Sequence, residues 1–242
     1  MTIGLIGFGR LGRLLARHFA ADAKIFVADR KLDARAARAL GATPATLARA
    51  CAQDVVVLCV PMAAFEGVVK RMRALVKPGA LVVDTCSVKG HPVRAMKRWL
   101  PKNVELLGTH PNFGPDSAAE SLKGRKLVLC RVRMRDARYR AAKRFLSGKG
   151  LELIEMTPRA HDRRMASSLV LTHFIGRALI AYGAKTTGVD TEGYKRLLRI
   201  LETVRNDSWR LFADMNRFNA GAAPVRRRFL KALESVDAKV RR

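Results

Sequence analysis

The chain has 242 residues, 49% of them apolar, enough for one large domain or two smaller ones with a true core. Its 47 Lys and Arg against 20 Asp and Glu give a net charge of +27, but the bases are spread along the chain and cluster only at Arg226-Arg227-Arg228 and at 239–242. No aromatic residues interleave with them, so a nucleic-acid partner is not expected; the charge reads as an Ala/Arg-rich composition on solvated faces, or as a field that steers anionic ligands to a cleft.

Apolar runs at 2–7, 24–28, 55–60, 81–84, 104–107, 127–130 and 151–155 are predicted strands, and 10–21, 63–76, 92–99 and 136–148 are predicted helices. The run Val55-Val56-Val57-Leu58-Cys59-Val60 is apolar throughout, as in a strand covered on both faces. This alternation predicts an α/β fold, a doubly wound, mostly parallel sheet of Rossmann type. After Thr157-Pro158 the strands stop, and 159–183, 191–219 and 224–240 read as helices. In the last, Val225, Phe229, Leu233, Val236 and Val240 form an amphipathic stripe. The expected division is a dinucleotide-binding domain at 1–157 and a helical substrate and dimerisation domain at 158–242. About 85 residues of helix bury too little on their own, so a homodimer through the C-terminal helices is expected.

Cys51, Cys59, Cys86 and Cys130 show no paired or metal-ligand spacing, which predicts reduced thiols and no metal. The chain opens directly on a strand, so no signal peptide is expected. No uninterrupted apolar run reaches the roughly 18 residues of a membrane helix. A cytoplasmic protein with no membrane partner is therefore expected.

Between the first strand and the helix at 10–21 stands Gly7-Phe8-Gly9-Arg10-Leu11-Gly12. Gly7 allows a tight turn, Gly9 the approach of a pyrophosphate, and Gly12 close packing of helix on strand, with the pyrophosphate on the helix N-terminus. Asp29 ends the second strand, where it accepts bonds from the adenosine ribose hydroxyls. That favours NAD, while Arg30 and Lys31 leave NADP open. Pro61 follows the 55–60 run, where the chain turns toward the nicotinamide or simply begins a helix.

Three further motifs follow in order: Asp84-Thr85-Cys86-Ser87-Val88-Lys89, then Gly108-Thr109-His110-Pro111-Asn112-Phe113-Gly114-Pro115, then His161-Asp162 with Thr172-His173. With the glycine loop, and with Gly193-Tyr194 through Asp207-Ser208-Trp209 to Asn219, they make nearly the whole chain resemble the prephenate/arogenate dehydrogenase family, especially its plant-like arogenate-using members. Asn112 stands where that family usually has Met. The length leaves no room for a chorismate mutase or regulatory domain beside the two domains.

The resemblance implies NAD(P)-dependent oxidative decarboxylation of arogenate or prephenate, a small acidic substrate of tyrosine biosynthesis. It implies His110 as the base that relieves the substrate hydroxyl of its proton, a task suited to a neutral imidazole. Ser87 either hydrogen-bonds His110 or the substrate hydroxyl, or caps the following helix. Lys89 either bears on ligand charge or is solvated. His173 matches the family's buried substrate-contacting histidine, and Arg199 its carboxylate-binding arginine, for which a guanidinium fork is apt. Trp209 shapes a pocket or fills core. His161 lies about 18 Å along a straight helix from His173, so it meets the cofactor side or caps the helix. Asp116 is either a partner for the arogenate ammonium or an N-cap. Two other readings stay open: a dehydrogenase or reductase of the hydroxyisobutyrate or pyrroline-carboxylate reductase type, and a non-catalytic NAD-sensing or nucleic-acid-binding protein.

Overall fold

Thr2–Ile6 forms strand β1, apolar on both faces, and seven more strands build the sheet around it: β2 Lys24–Ala28, β3 Ala42–Pro44, β4 Val55–Leu58, β5 Leu81–Asp84, β6 Glu105–Pro111, β7 Lys126–Arg133 and β8 Glu152–Glu155. The computed structural model describes residues 1–241, the side chain of Thr203 excepted. The last residue of the basic 239–242 tail lies outside them. The strand order is β3-β2-β1-β4-β5-β6-β7-β8. Every pair is parallel except β6 with β7. The chain winds outward in both directions from β1 and β4, so the carboxyl ends of those strands flank the crevice where doubly wound sheets take ligands.

Helices α1 Arg10–Phe19, α4 Met62–Met72, α5 Gly90–Trp99 and α6 Asp136–Gly148 lie where periodicity placed them, within a few residues. Three short elements were not foreseen: β3, α2 Ala34–Ala39 and α3 Leu47–Cys51. Their Ala- and Arg-rich sequences carry no apolar period, and the two helices are set by caps. Asp33 accepts the Ala36 N–H at 3.0 Å and Thr46 the Arg49 N–H at 3.2 Å. Strand β6 runs four residues beyond its expected end at 107. Its far end pairs across β7, with His110 opposite Val128 and Pro111 opposite Leu127.

One side of the core packs Leu14, Leu81, Leu107, Leu127 and Tyr139 together; another packs Ile3, Phe8, Ala16, Ile25 and Val27. All four cysteines are free thiols.

The described chain falls into two compact units, Met1–Arg159 and Ala160–Arg242. The second holds α7 Pro158–Met165 from Ala160 on, a π-helical turn Ala166–Val170, α8 Leu171–Tyr182, α9 Glu192–Arg205, α10 Trp209–Phe218 and α11 Ala222–Val240. The expected helix at 159–183 is present and continuous, with the π turn inside it. One expectation is corrected: the 191–219 helix breaks at 206–208, where Ser208 caps α10 by accepting the Leu211 N–H at 3.1 Å. Gly176 sets the packing of α8 on α9, since a Cβ there would lie 2.8 Å from Val204 Cγ2.

The continuous helical stretch Pro158–Tyr182 is long and apolar enough to cross a membrane by length and composition, its most apolar 18-residue window having a mean hydropathy of 1.3. No unbroken apolar run of that length announces it, because Arg163, Arg164, His173 and Arg177 interrupt the sequence. A helix whose apolar face covers a core or a partner passes the same test.

Candidate active site

The glycine loop has the tight local geometry its spacing implies. Gly7 has φ of 100°, and a Cβ on it would lie 2.3 Å from the Cys59 carbonyl oxygen at the end of β4. A Cβ on Gly12 would lie 2.2 Å from the Gly7 carbonyl oxygen. Gly9 instead faces open space, with nothing within 4 Å of such an atom. It is the N-cap of α1, with no side-chain cap and no acidic residue in the first turn. The positive end of the helix dipole at that turn favours an anion. Residues and fold suit a pyrophosphate.

Asp29 sits exposed just past β2. One oxygen accepts the Phe8 N–H at 2.7 Å and the other the Lys31 N–H at 2.8 Å. The Phe8 side chain is core, 5% exposed, and Leu11 packs half-buried against another part of it, so backbone alone is theirs to offer a cofactor. Arg10 and Arg30 are exposed. Arg10 pairs with Asp116 at 2.5 Å. One reading of Asp116 is corrected, since no helix starts there for it to cap. Pro61 is the exposed N-cap of α4, at the carboxyl end of the sheet.

His110 is the sixth residue of β6, not part of the loop after it, and is 5% exposed. Strand alternation puts it on the sheet face shared by Gly108 and opposite to Thr109. Ser87 is half-buried in the β5–α5 connection. It does not cap α5, whose N-cap is Lys89. Lys89 is neither solvated nor open to a ligand: it and Asp84 are both 0% exposed. Its ammonium bonds one carboxylate oxygen of Asp84 and the carbonyl of Thr109. Burial pushes the Asp84 carboxyl up, against the opposing pull of Lys89 and of the Cys86 and Thr109 N–H groups. Burial also pushes the Cys59 thiol up to about 12 and Cys86 higher than its ordinary range, so neither is a nucleophile at this edge.

An apolar cavity of about 450 Å³ lies between the sheet and helices α1 and α6, bounded in part by Thr85 and Thr109. Neither His110 nor Ser87 lines it.

In the helical unit, His173 is 3% exposed and lies 3.6 Å from Asp207. Burial lowers the pKa of its imidazole, Asp207 opposes that, and Arg177 adds to it. Arg177 donates to the Val204 carbonyl at 3.2 Å and to that of Asp207, and lies 5.9 Å from the Trp209 ring. Asp207 and Arg177 were not foreseen as partners of His173. The available signal was the run Asn206-Asp207-Ser208, three residues that favour helix ends over helix interiors. Trp209 is 66% exposed, so it does not fill core, and its ring lies tilted against Phe212 with centroids 5.2 Å apart. Arg199 is exposed on α9. His161 corrects an expectation: it lies in the second turn of α7, 0% exposed, with Nδ1 2.8 Å from its neighbour Asp162, and neither caps the helix nor offers surface to a ligand. Asn219 closes this corner, donating to the Asp162 carbonyl at 2.8 Å.

Residues 12–155 match the nucleotide-binding domain of prephenate dehydrogenase, and 178–242 match the TYRAAT1-like C-terminal domain. Arogenate dehydrogenase 2, chloroplastic, of Arabidopsis thaliana is 32% identical over 98% of this chain and 69% of its own length. The chain belongs to the prephenate/arogenate dehydrogenase family. Arogenate dehydrogenase 1, chloroplastic, of the same plant is also 32% identical, but the chain spans only 39% of its length. Among solved structures, prephenate dehydrogenase from A. aeolicus in complex with hydroxyphenyl propionate and NAD+ superposes with a TM-score of 0.80 at 23% identity, covering 99% of this chain and 91% of that one. Synechocystis arogenate dehydrogenase does so at 0.73 and 20%, covering 99% and 92%. At those identities the structures speak for the fold: a dinucleotide-binding sheet followed by helices.

As a prephenate/arogenate dehydrogenase family member, the protein is an NAD(P)-dependent oxidoreductase.

Proposed function

We propose that this protein oxidatively decarboxylates arogenate or prephenate with NAD, using His110 as the base. The observation that carries the reading is a buried histidine at the carboxyl end of β6, in the sheet whose β1 turn forms an open, uncapped dinucleotide cradle. NAD held in that cradle would supply the acceptor for the hydride of the ring carbon that bears the hydroxyl. His110 takes the hydroxyl proton as the C–H bond breaks, and the Ser87 hydroxyl holds the substrate oxygen in line with it. The ring C–carboxylate bond then breaks, carbon dioxide leaves, and its electron pair moves through the ring to the oxygen, which recovers a proton as a phenol.

Gly7, Gly9 and Gly12, with the backbone of Phe8, Arg10 and Leu11, hold the pyrophosphate. Asp29 holds the adenosine ribose, Arg30 flanks it, and Pro61 turns the chain toward the nicotinamide. Arg199 binds the substrate side-chain carboxylate, and His173 and Trp209 shape its pocket. His161 is given a structural place. Apolar side chains left exposed along α11, Leu230, Leu233, Val236 and Val240, fit burial against a second copy of the chain in a homodimer. The free thiols suit a reducing compartment, and the cytoplasm is the proposed location.

Arogenate is the first substrate to assay, because the C-terminal match is TYRAAT1-like and both Arabidopsis relatives are named arogenate dehydrogenases. The test is initial rates of cofactor reduction with arogenate and with prephenate, each crossed with NAD and NADP. Saturable turnover with one of them supports the reading; none with either overturns it.

A further inference from the structure

The β5–β6 ladder stops at the pair Asp84 and Gly108, yet β6 continues for three more residues, and His110 is the second of them. On the β7 side those residues stay paired: Thr109 opposite Leu129, His110 opposite Val128, Pro111 opposite Leu127. On the β5 side the neighbouring strand has ended, and side chains take over. The Lys89 ammonium bonds the Thr109 carbonyl, and the Thr109 hydroxyl donates to the Asp84 carbonyl at 2.7 Å. Asp84 in turn holds Lys89 through one carboxylate oxygen, which also accepts the Cys86 N–H at 3.0 Å. A Cβ on Gly108 would lie 3.2 Å from the other oxygen, so the carboxylate presses against the strand just ahead of His110.

Burying two charges completely is costly, and replacing such a pair by matched neutral side chains is often neutral or stabilising. Stability alone is therefore a poor reason for the pair, whereas a fixed geometry needs it. We infer that Asp84 and Lys89 are a positioning pair for His110, substituting for the strand that β6 outruns. The inference rests on His110 being the base. The pair touches no reacting atom in this reading. It sets the Thr109–His110 peptide, and through it the direction of the imidazole.

The double variant Asp84→Asn/Lys89→Met tests it, since it removes both charges and leaves neither unpaired. Lys89→Met alone strands a buried carboxylate and is expected to lower the unfolding temperature; the double variant is expected to recover most of that loss. With fold restored, kcat for arogenate or prephenate is expected to stay roughly 10- to 100-fold below wild type, the order of loss that a misplaced group brings. KM and the dissociation constant of NAD are expected to change by less than about twofold, because the pair contacts neither ligand. Amide hydrogen exchange in the 108–111 segment is expected to quicken, and this readout stands even if the substrate assignment fails. A well-folded double variant with wild-type kcat, or with unchanged exchange at 108–111, would overturn the inference. A wild-type enzyme inert toward both substrates would overturn the proposed function instead, leaving the exchange result to decide the role of the pair.

Discussion

Asp29 accepts the Phe8 N–H at 2.7 Å, so the carboxylate at the end of β2 is bonded to the glycine loop that follows β1. With its other oxygen on the Lys31 N–H, its orientation is set before any ribose arrives. A fixed negative charge there favours two ribose hydroxyls over a 2′-phosphate. Asp29→Asn keeps an oxygen acceptor for one of the two N–H groups and removes the charge; Asp29→Ser is too short to hold both. Both variants are expected to move the ratio of kcat/KM values toward NADP, with Ser losing more NAD efficiency because the loop loosens as well. Rates with both cofactors in wild type and variants decide the matter. A ratio that does not move removes Asp29 as the discriminator.

Replacing His110 by Asn keeps a polar group of similar reach but no base near neutral pH. Turnover is expected to fall by about 10²- to 10⁴-fold, the usual worth of a general base. NAD affinity, measured by fluorescence titration, should stay within about twofold, since the cofactor cradle is built from the β1 turn. Near-normal turnover in a folded variant would end the assignment.

The glycine loop was legible because each glycine answers a local demand: a positive φ at Gly7, a 2.2 Å approach at Gly12, open space at Gly9. The strands were legible where apolar runs were unbroken, and β3 was not, because Ala42-Thr43-Pro44 is too short to show a period. The site was legible as motifs but not as contacts. Nothing in Ser87-Val88-Lys89 says that the lysine turns inward to a carboxylate five residues back; that follows from where β5 ends relative to β6. Likewise, spacing alone put His161 and His173 on one straight helix, while the π turn between them and the full burial of His161 come from packing.

His173 carries a pH signature. Burial holds its folded pKa below the ordinary 6.5, so the native state favours neutral imidazole. Above 6.5 neither folded nor unfolded chain binds the proton, and this stability is fully present. As pH falls below 6.5 the unfolded chain binds the proton first, and the stability is lost until the folded pKa is passed. The unfolding temperature is therefore expected to drop as pH falls from 7 through the range just below 6.5, and His173→Gln is expected to flatten that limb relative to wild type. Parallel curves for the two proteins would show that His173 is not the titrating group.

Helix α11 offers the sharpest test of assembly. Over its second half every residue is exposed, yet Leu230 (45% exposed), Leu233 (51%), Val236 (59%) and Val240 (81%) recur at helical spacing. On a monomer, changing such residues to Glu replaces exposed apolar surface by charge, with an effect on stability within about 0.5 kcal/mol. In a dimer the same change buries an unpaired carboxylate on each side of the interface, which costs several kcal/mol and separates the subunits. Leu233→Glu/Val236→Glu is therefore expected to convert a dimer to a monomer in sedimentation while leaving far-UV circular dichroism intact. If Trp209 and Arg199 serve a site completed across that interface, turnover should fall with the dimer fraction and recover at high protein concentration. A wild type that sediments as a monomer, or a double variant that stays dimeric, would show that this stripe does not hold two copies together.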